Sequence, residues 1–243
     1  MAGTNTLLFS SWLSAQGISV HEQHSYVHSG WLEKVVYGVF KVAGANISLF
    51  SAISAYNVQL DKQCLIGAET ALELRGYMHY VPMGKPLSLL YTDKSQKLPD
   101  WFLHYDWDRS IRYQTTSFLG ADGIGVESLV VDGHKLLVSS PERAILECLN
   151  KPNAADSLMD IYYLMELLTT LRPKLLQQLL ERCTSLKVKR LFLFMAEKTG
   201  YPWFRALDIS RIDIGKGRRM IVPVGKYVRK YDMTIPTELY NYV

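Results

Sequence analysis

The order helix, glycine, helix, glycine, hairpin within residues 7–43 constrains this chain more than any other feature. A short apolar segment, Leu7-Leu8-Phe9, leads into an expected helix from about Ser11 to Gln16, which Gly17 stops. Ser19 opens a second helix to about Ser29, which Gly30 stops. Strands from Trp31 to Val35 and from Val39 to Val42 then fold back at Tyr37-Gly38. Ser10 and Ser19 are read as caps, because a short hydroxyl side chain accepts hydrogen bonds from the unpaired amides of a first turn. Glycine suits the position after a helix because positive φ carries no Cβ penalty there. Two helices closed by a tight turn and followed by a hairpin make a winged helix-turn-helix, which reads duplex DNA through its second helix.

That second helix has an unusual surface for a DNA reader. On a 100° wheel His21, His24, Ser25 and His28 share one narrow face, while Val20, Gln23, Tyr26 and Val27 lie opposite. The second set is expected to pack on the first helix and the hairpin. The histidine set would face a major groove, where neutral imidazole offers a donor and an acceptor to base edges. Protonated imidazole adds a charge that attracts phosphate, so affinity is expected to rise as pH falls from about 8 to 6. Lys34, Tyr37 and Lys41 are placed as wing contacts to the DNA backbone. Two other readings of the histidines stand beside this one: a metal site, with Glu22 as the nearest carboxylate but on another face, and a polar surface with no ligand.

Beyond the wing, helices are expected over Ser51 to Leu60 and Ala68 to Arg75, with strands over Tyr77 to Val81 and Leu87 to Tyr91 around a turn from Pro82 to Pro86. The polar stretch Thr92 to Lys97 is the best candidate boundary, giving regions 1–94 and 95–243. Strands over Ser110 to Phe118, Val126 to Val131 and Lys135 to Val138 follow, with a glycine-rich loop from Gly120 to Gly125 and a hairpin signal at Asp132-Gly133. Ser140-Pro141-Glu142 starts a helix to about Leu149. Further helices span Leu158 to Thr169, Pro173 to Cys183 and Lys187 to Lys198. Strand runs and helix runs are segregated, which favours an α+β class: an N-terminal winged helix followed by a larger mixed α/β domain.

Charge is uneven. Net charge is +4, yet Ser185 to Asp232 holds 12 basic residues and 4 acidic ones. Lys187, Lys189, Arg190, Arg211, Lys216, Arg218 and Arg219 are the candidate effector surface, interleaved with aromatics that could stack on nucleic acid. A solvated basic face over packed aromatics is the alternative. Gly215-Lys216-Gly217 reads as a turn, since no Walker pattern surrounds it. Three scattered cysteines, no apolar run of roughly 18 residues, and no basic flank at the N-terminus suit a cytoplasmic protein without a membrane span or secretory signal. Signs of catalysis are thin: Asp106-Trp107-Asp108 has the spacing of paired metal-binding carboxylates, but no third carboxylate, Gly-Ser phosphate loop or Gly-x-Ser-x-Gly elbow accompanies it. A non-enzymatic protein without cofactor is expected.

Several stretches, in order along nearly the whole chain, resemble the AbiEi family of bacterial antitoxins. They are Gly17-Ile18-Ser19, Tyr26-Val27, Ser29 to Glu33, Thr70 to Leu74, Gly76, His79-Tyr80 and Leu98 to Trp101. The longest are Ser139 to Ala144, Val188 to Phe194 and Ser210 to Gly215. The resemblance implies a winged helix that represses its own operon by binding operator DNA, and a C-terminal domain that counters a nucleotidyltransferase-type toxin. It also brings departures. Residues 20–28 contain no Lys or Arg where the family usually carries arginines, and the wing tip is Val36-Tyr37-Gly38 where an arginine between glycines is usual. Only six residues precede Leu7, where winged helices usually have a first helix. An antitoxin acting by protein contact is therefore the second reading, and a metal-dependent nucleotidyltransferase or nuclease the third.

Overall fold

The computed structural model describes residues 5–78, 84–120, 123–151 and 158–242. Parts of the expected strand Tyr77 to Val81, of the turn Pro82 to Pro86 and of the loop Gly120 to Gly125 lie outside the described residues, as do His79 and Tyr80. The chain forms two compact units that interleave in sequence: residues 1–66, 82–115 and 128–137 in the first, and 67–81, 116–127 and 138–243 in the second. The fold is mixed α and β, as the segregated pattern predicts.

In the first unit, β1 (Leu7–Phe9) leads directly into α1 (Ser10–Ala15), then α2 (Val20–His28), β2 (Leu32–Val36) and β3 (Val39–Val42). The strands form one antiparallel sheet of order β1-β3-β2, with Leu7 opposite Lys41 and Phe9 opposite Val39. Gly17 and Gly30 have φ of +89° and +76°, the left-handed geometry that ends each helix cheaply. The free edge of β1 is closed by α3 (Leu49–Gln59), whose Gln59 accepts from the Phe9 amide at 3.0 Å and donates to the Leu7 carbonyl at 2.7 Å. A helix that follows the hairpin thus covers the strand that opens the module. Phe9, Tyr56, Trp101, Phe102 and Trp107 build an aromatic core here, with ring centroids 5.1–6.5 Å apart.

A five-stranded sheet of order β6-β5-β4-β8-β7 lies mostly in the first unit, built from β4 (Leu65–Ile66), β5 (Leu87–Thr92), β6 (Ser110–Thr115), β7 (Val126–Val131) and β8 (His134–Ser139). β5 and β6 pair in parallel, Leu87 opposite Ser110, and the crossover between them carries α5 (Asp100–His104). Parallel neighbours need such a long connection, so the polar stretch Thr92 to Lys97 serves within one sheet. Asp132 and Gly133 both take positive φ, +49° and +79°, as a two-residue hairpin of the expected type demands.

The second unit is built around α6 (Pro141–Leu149), buried along almost all its length and packed by α4 (Ala68–Glu73), α7 (Leu158–Leu167), α8 (Pro173–Arg182) and α9 (Leu186–Thr199). Ser140 caps α6 by accepting from the Arg143 amide, and proline fills its first turn. After α10 (Pro202–Arg205) come β9 (Arg219–Met220), β10 (Lys226–Val228), β11 (Met233–Ile235) and α11 (Thr237–Asn241). These strands form a small sheet of order β10-β11-β9, with β9 parallel to β11. No helix among the described residues is long and apolar enough to cross a membrane.

Candidate nucleic-acid interface

Two polar devices set the position of α2. Its start is a complete capping box: Ser19 accepts from the Glu22 amide, while the Glu22 carboxylate accepts from the Ser19 amide and hydroxyl, both at 2.7 Å. Those Ser19 bonds hold the Glu22 carboxyl below the ordinary carboxylate range. Its middle is fastened by Gln23, which is 1% exposed. The Gln23 amide donates to the Ser14 hydroxyl at 3.1 Å and the Ile18 carbonyl at 2.9 Å, and its carbonyl accepts from Ser10 Oγ at 2.7 Å. One side chain therefore joins α2 to α1 and to the turn between them.

This corrects two expectations. Ser10 does not cap α1; Phe9 holds the cap position without a side-chain bond, and the Ser10 hydroxyl is spent on Gln23. Val20 and Tyr26 do not pack the helix down either, being 55% and 41% exposed. A polar bolt has taken the place of an apolar stripe. Replacing Gln23 with alanine should strand several partly buried polar groups and cost about 1–3 kcal/mol, read as a lower thermal midpoint. A midpoint unchanged from the parent would show that the bolt holds nothing.

His21, His24, Ser25 and His28 are all exposed on α2. Lys34 and Tyr37 are exposed at the wing, the Lys34 ammonium lying 5.6 Å from the Tyr37 ring centroid, a cation–π arrangement. Lys41 is differently placed: half-buried, it pairs with Glu33 at 3.0 Å and donates to the Ala45 carbonyl at 3.0 Å. Its charge is matched within the protein. Trp31, at the start of the hairpin, is 72% exposed and is not among the contact residues expected from the sequence.

The basic segment divides sharply. Lys189 and Arg190 are buried, 4% and 1% exposed, so they form no part of an outer surface. Lys189 donates to the Asp213 carbonyl at 2.9 Å; Arg190 donates to the carbonyls of Ile214, Gly217 and Asp232 at 2.8–2.9 Å. Arg211 is exposed but pairs with Glu181 at 3.0 Å. Lys216, Arg218 and Arg219 are exposed, and Lys187 is half-buried.

The carboxylate pair has structural partners. Asp108 accepts from the Leu49 amide at the start of α3, and Asp106 pairs with Lys85, both at 2.7 Å. The Lys85 ammonium holds the Asp106 carboxyl below its ordinary range. Among the described residues no three His, Cys, Asp or Glu side chains gather where a metal could sit.

Comparison with known proteins bears on what this surface is for. Residues 2–83 match the family model of the AbiEi antitoxin N-terminal domain, and residues 86–236 match that of the AbiEi antitoxin, a transcriptional regulator of type IV toxin–antitoxin systems. The chain belongs to the AbiEi antitoxin family. No functionally curated protein matches it by sequence. The crystal structure of the RV2827C protein from Mycobacterium tuberculosis resembles this AbiEi member in fold, with a TM-score of 0.62 at 13% identity, over 94% of this chain and 85% of that one. As an AbiEi antitoxin the protein is a transcriptional regulator.

Proposed function

We propose that the protein represses its own operon by laying α2 in the major groove of operator DNA. His21, His24, Ser25 and His28 contact base edges; Lys34 and Tyr37 contact the backbone from the wing, with Lys41 positioned behind them. The C-terminal region, expected from residue 95 onward and with its exposed Arg211, Lys216, Arg218 and Arg219 all in the second unit, counters a nucleotidyltransferase-type toxin encoded nearby through those cations as the effector surface. It acts in the cytoplasm, without catalysis. The observation that carries this reading is the exposed imidazole face on a helix whose opposite side is bolted down by Gln23.

Fluorescence anisotropy with a duplex carrying the sequence upstream of the gene tests it. Changing His21, His24 and His28 together to alanine should weaken binding about tenfold or more, since a well-placed base contact contributes roughly 1–3 kcal/mol of discrimination. Equal binding by parent and triple variant would remove α2 as the reader. Partner binding by a repurposed module is the second reading, favoured by the exposed apolar side chains of Val20, Tyr26 and Trp31 and by the absence of Lys and Arg from α2.

A further inference from the structure

The second unit contains a cleft of about 400 Å³, bounded by Lys187 in the first turn of α9 and by the segment from Lys216 to Ile221 that includes β9. Four of its seven lining residues are cations, Lys187, Lys216, Arg218 and Arg219, and none is a carboxylate. Among the described residues, none of the four is ion-paired to an acid. Like charges gathered in a concave site raise its potential, and an anion from outside relieves their repulsion.

The backbone that displays these cations is held in place. Arg190 and Lys189, buried beneath it, tie down the carbonyls of residues 213, 214, 217 and 232. The Arg219 amide donates to the Asp232 carbonyl at 2.9 Å, and the Ile221 amide to the Thr234 carbonyl at 3.0 Å. The Arg218 guanidinium lies 4.8 Å from the Tyr227 ring centroid and donates to Thr234 Oγ1 at 3.1 Å. A merely solvated basic face needs none of this scaffolding. Lys187 donates to the Lys151 carbonyl at 3.2 Å, and burial lowers its ammonium below the ordinary lysine range. A cation in that setting gains from an arriving anion. The first turn of α9 carries no acidic residue, so the positive end of its dipole adds to the same field.

We infer that this cleft binds a polyphosphate group, of the kind carried by a nucleoside triphosphate or by the triphosphorylated 5′ end of an RNA. Its volume falls within the range of small-ligand sites. Arginine presents a planar fork that matches phosphate oxygens, and two arginines with two lysines suit three or four negative charges gathered at one point. Met220 and Ile221 add an apolar flank beside the charges. The site stands apart from duplex binding by α2, and through Lys216, Arg218 and Arg219 it gives the proposed effector surface a ligand chemistry of its own.

Isothermal titration calorimetry on the full chain tests it, with inorganic triphosphate, ATP, adenosine, and one short RNA bearing either a 5′-triphosphate or a 5′-hydroxyl. Inorganic triphosphate is expected to bind and adenosine not to. Arg218→Gln combined with Arg219→Gln, and separately Lys187→Gln, should each weaken triphosphate about tenfold or more, with unchanged melting curves. ATP binding assigns a free nucleotide; binding by the triphosphate RNA without ATP binding assigns an RNA end. Because the triple histidine variant should bind triphosphate normally, failure of the duplex reading is separable from failure here. No heat from triphosphate at low salt, or affinity untouched by the arginine pair, overturns the proposal.

Discussion

Replacing Glu147 with alanine should destabilise the second unit by about 3–5 kcal/mol, seen as a lower urea midpoint and faster amide exchange along α6. Glu147 is 1% exposed in the last turn of α6, the most buried helix. One carboxylate oxygen accepts from Arg143 Nε at 2.8 Å; the other accepts from the Ala68 amide at 2.9 Å and the Ser139 hydroxyl at 2.8 Å. Burial pushes the carboxyl above the ordinary carboxylate range, while the Arg143 guanidinium and these donors pull it back. Its removal leaves a guanidinium, itself 6% exposed, without its counter-charge. It also releases the amide of Ala68, a non-glycine residue at φ +48° whose conformation its surroundings must hold in place. Glutamine at 147 keeps an acceptor and should lose less. Parent-like melting of the alanine variant would mean that the cluster contributes nothing.

Arg190→Met should cost on the order of 3 kcal/mol, because the Ile214 and Gly217 carbonyls lose their guanidinium donor and the Asp232 carbonyl is left with the Arg219 amide, and each unpaired polar group costs roughly 1–3 kcal/mol. The damage should be local. Exchange should quicken across residues 213–220, and triphosphate affinity should fall although Arg190 lines no part of the cleft. Lysine at this position should rescue only in part, since one ammonium cannot reproduce the fork that spans Ile214, Gly217 and Asp232. A variant with parent exchange rates in that segment would show that the loop holds its shape without this side chain.

What was legible in the sequence was mainly local. Glycine stops at 17 and 30, serine caps at 19 and 140, and the Asp132-Gly133 turn depend on a few neighbouring residues, and all appear in the structure. What was not legible depended on distant partners. Gln23 resembles any helical polar residue until α1 and the following turn close over it. Lys189 and Arg190 were read as surface because the carbonyls that receive them lie 24–42 residues away. The parallel pairing of β5 with β6 was hidden because a polar crossover looks like a linker. Within the stretch Ser139 to Ala144, Glu142 and Arg143 turned inward: Glu142 is bound by Arg172 at 2.8–3.0 Å and Arg143 by Glu147 at 2.8 Å, so those residues of the resemblance are architectural.

Amide hydrogen exchange of the full chain, with and without a duplex from upstream of its own gene, would locate the DNA most directly. The expected result is slowed exchange in Ser19 to Ser29 and around Tyr37, disappearing as added salt weakens the phosphate contacts. Unchanged exchange in both segments under conditions where the duplex is bound would contradict a DNA-reading α2 and leave operator binding to another part of the chain.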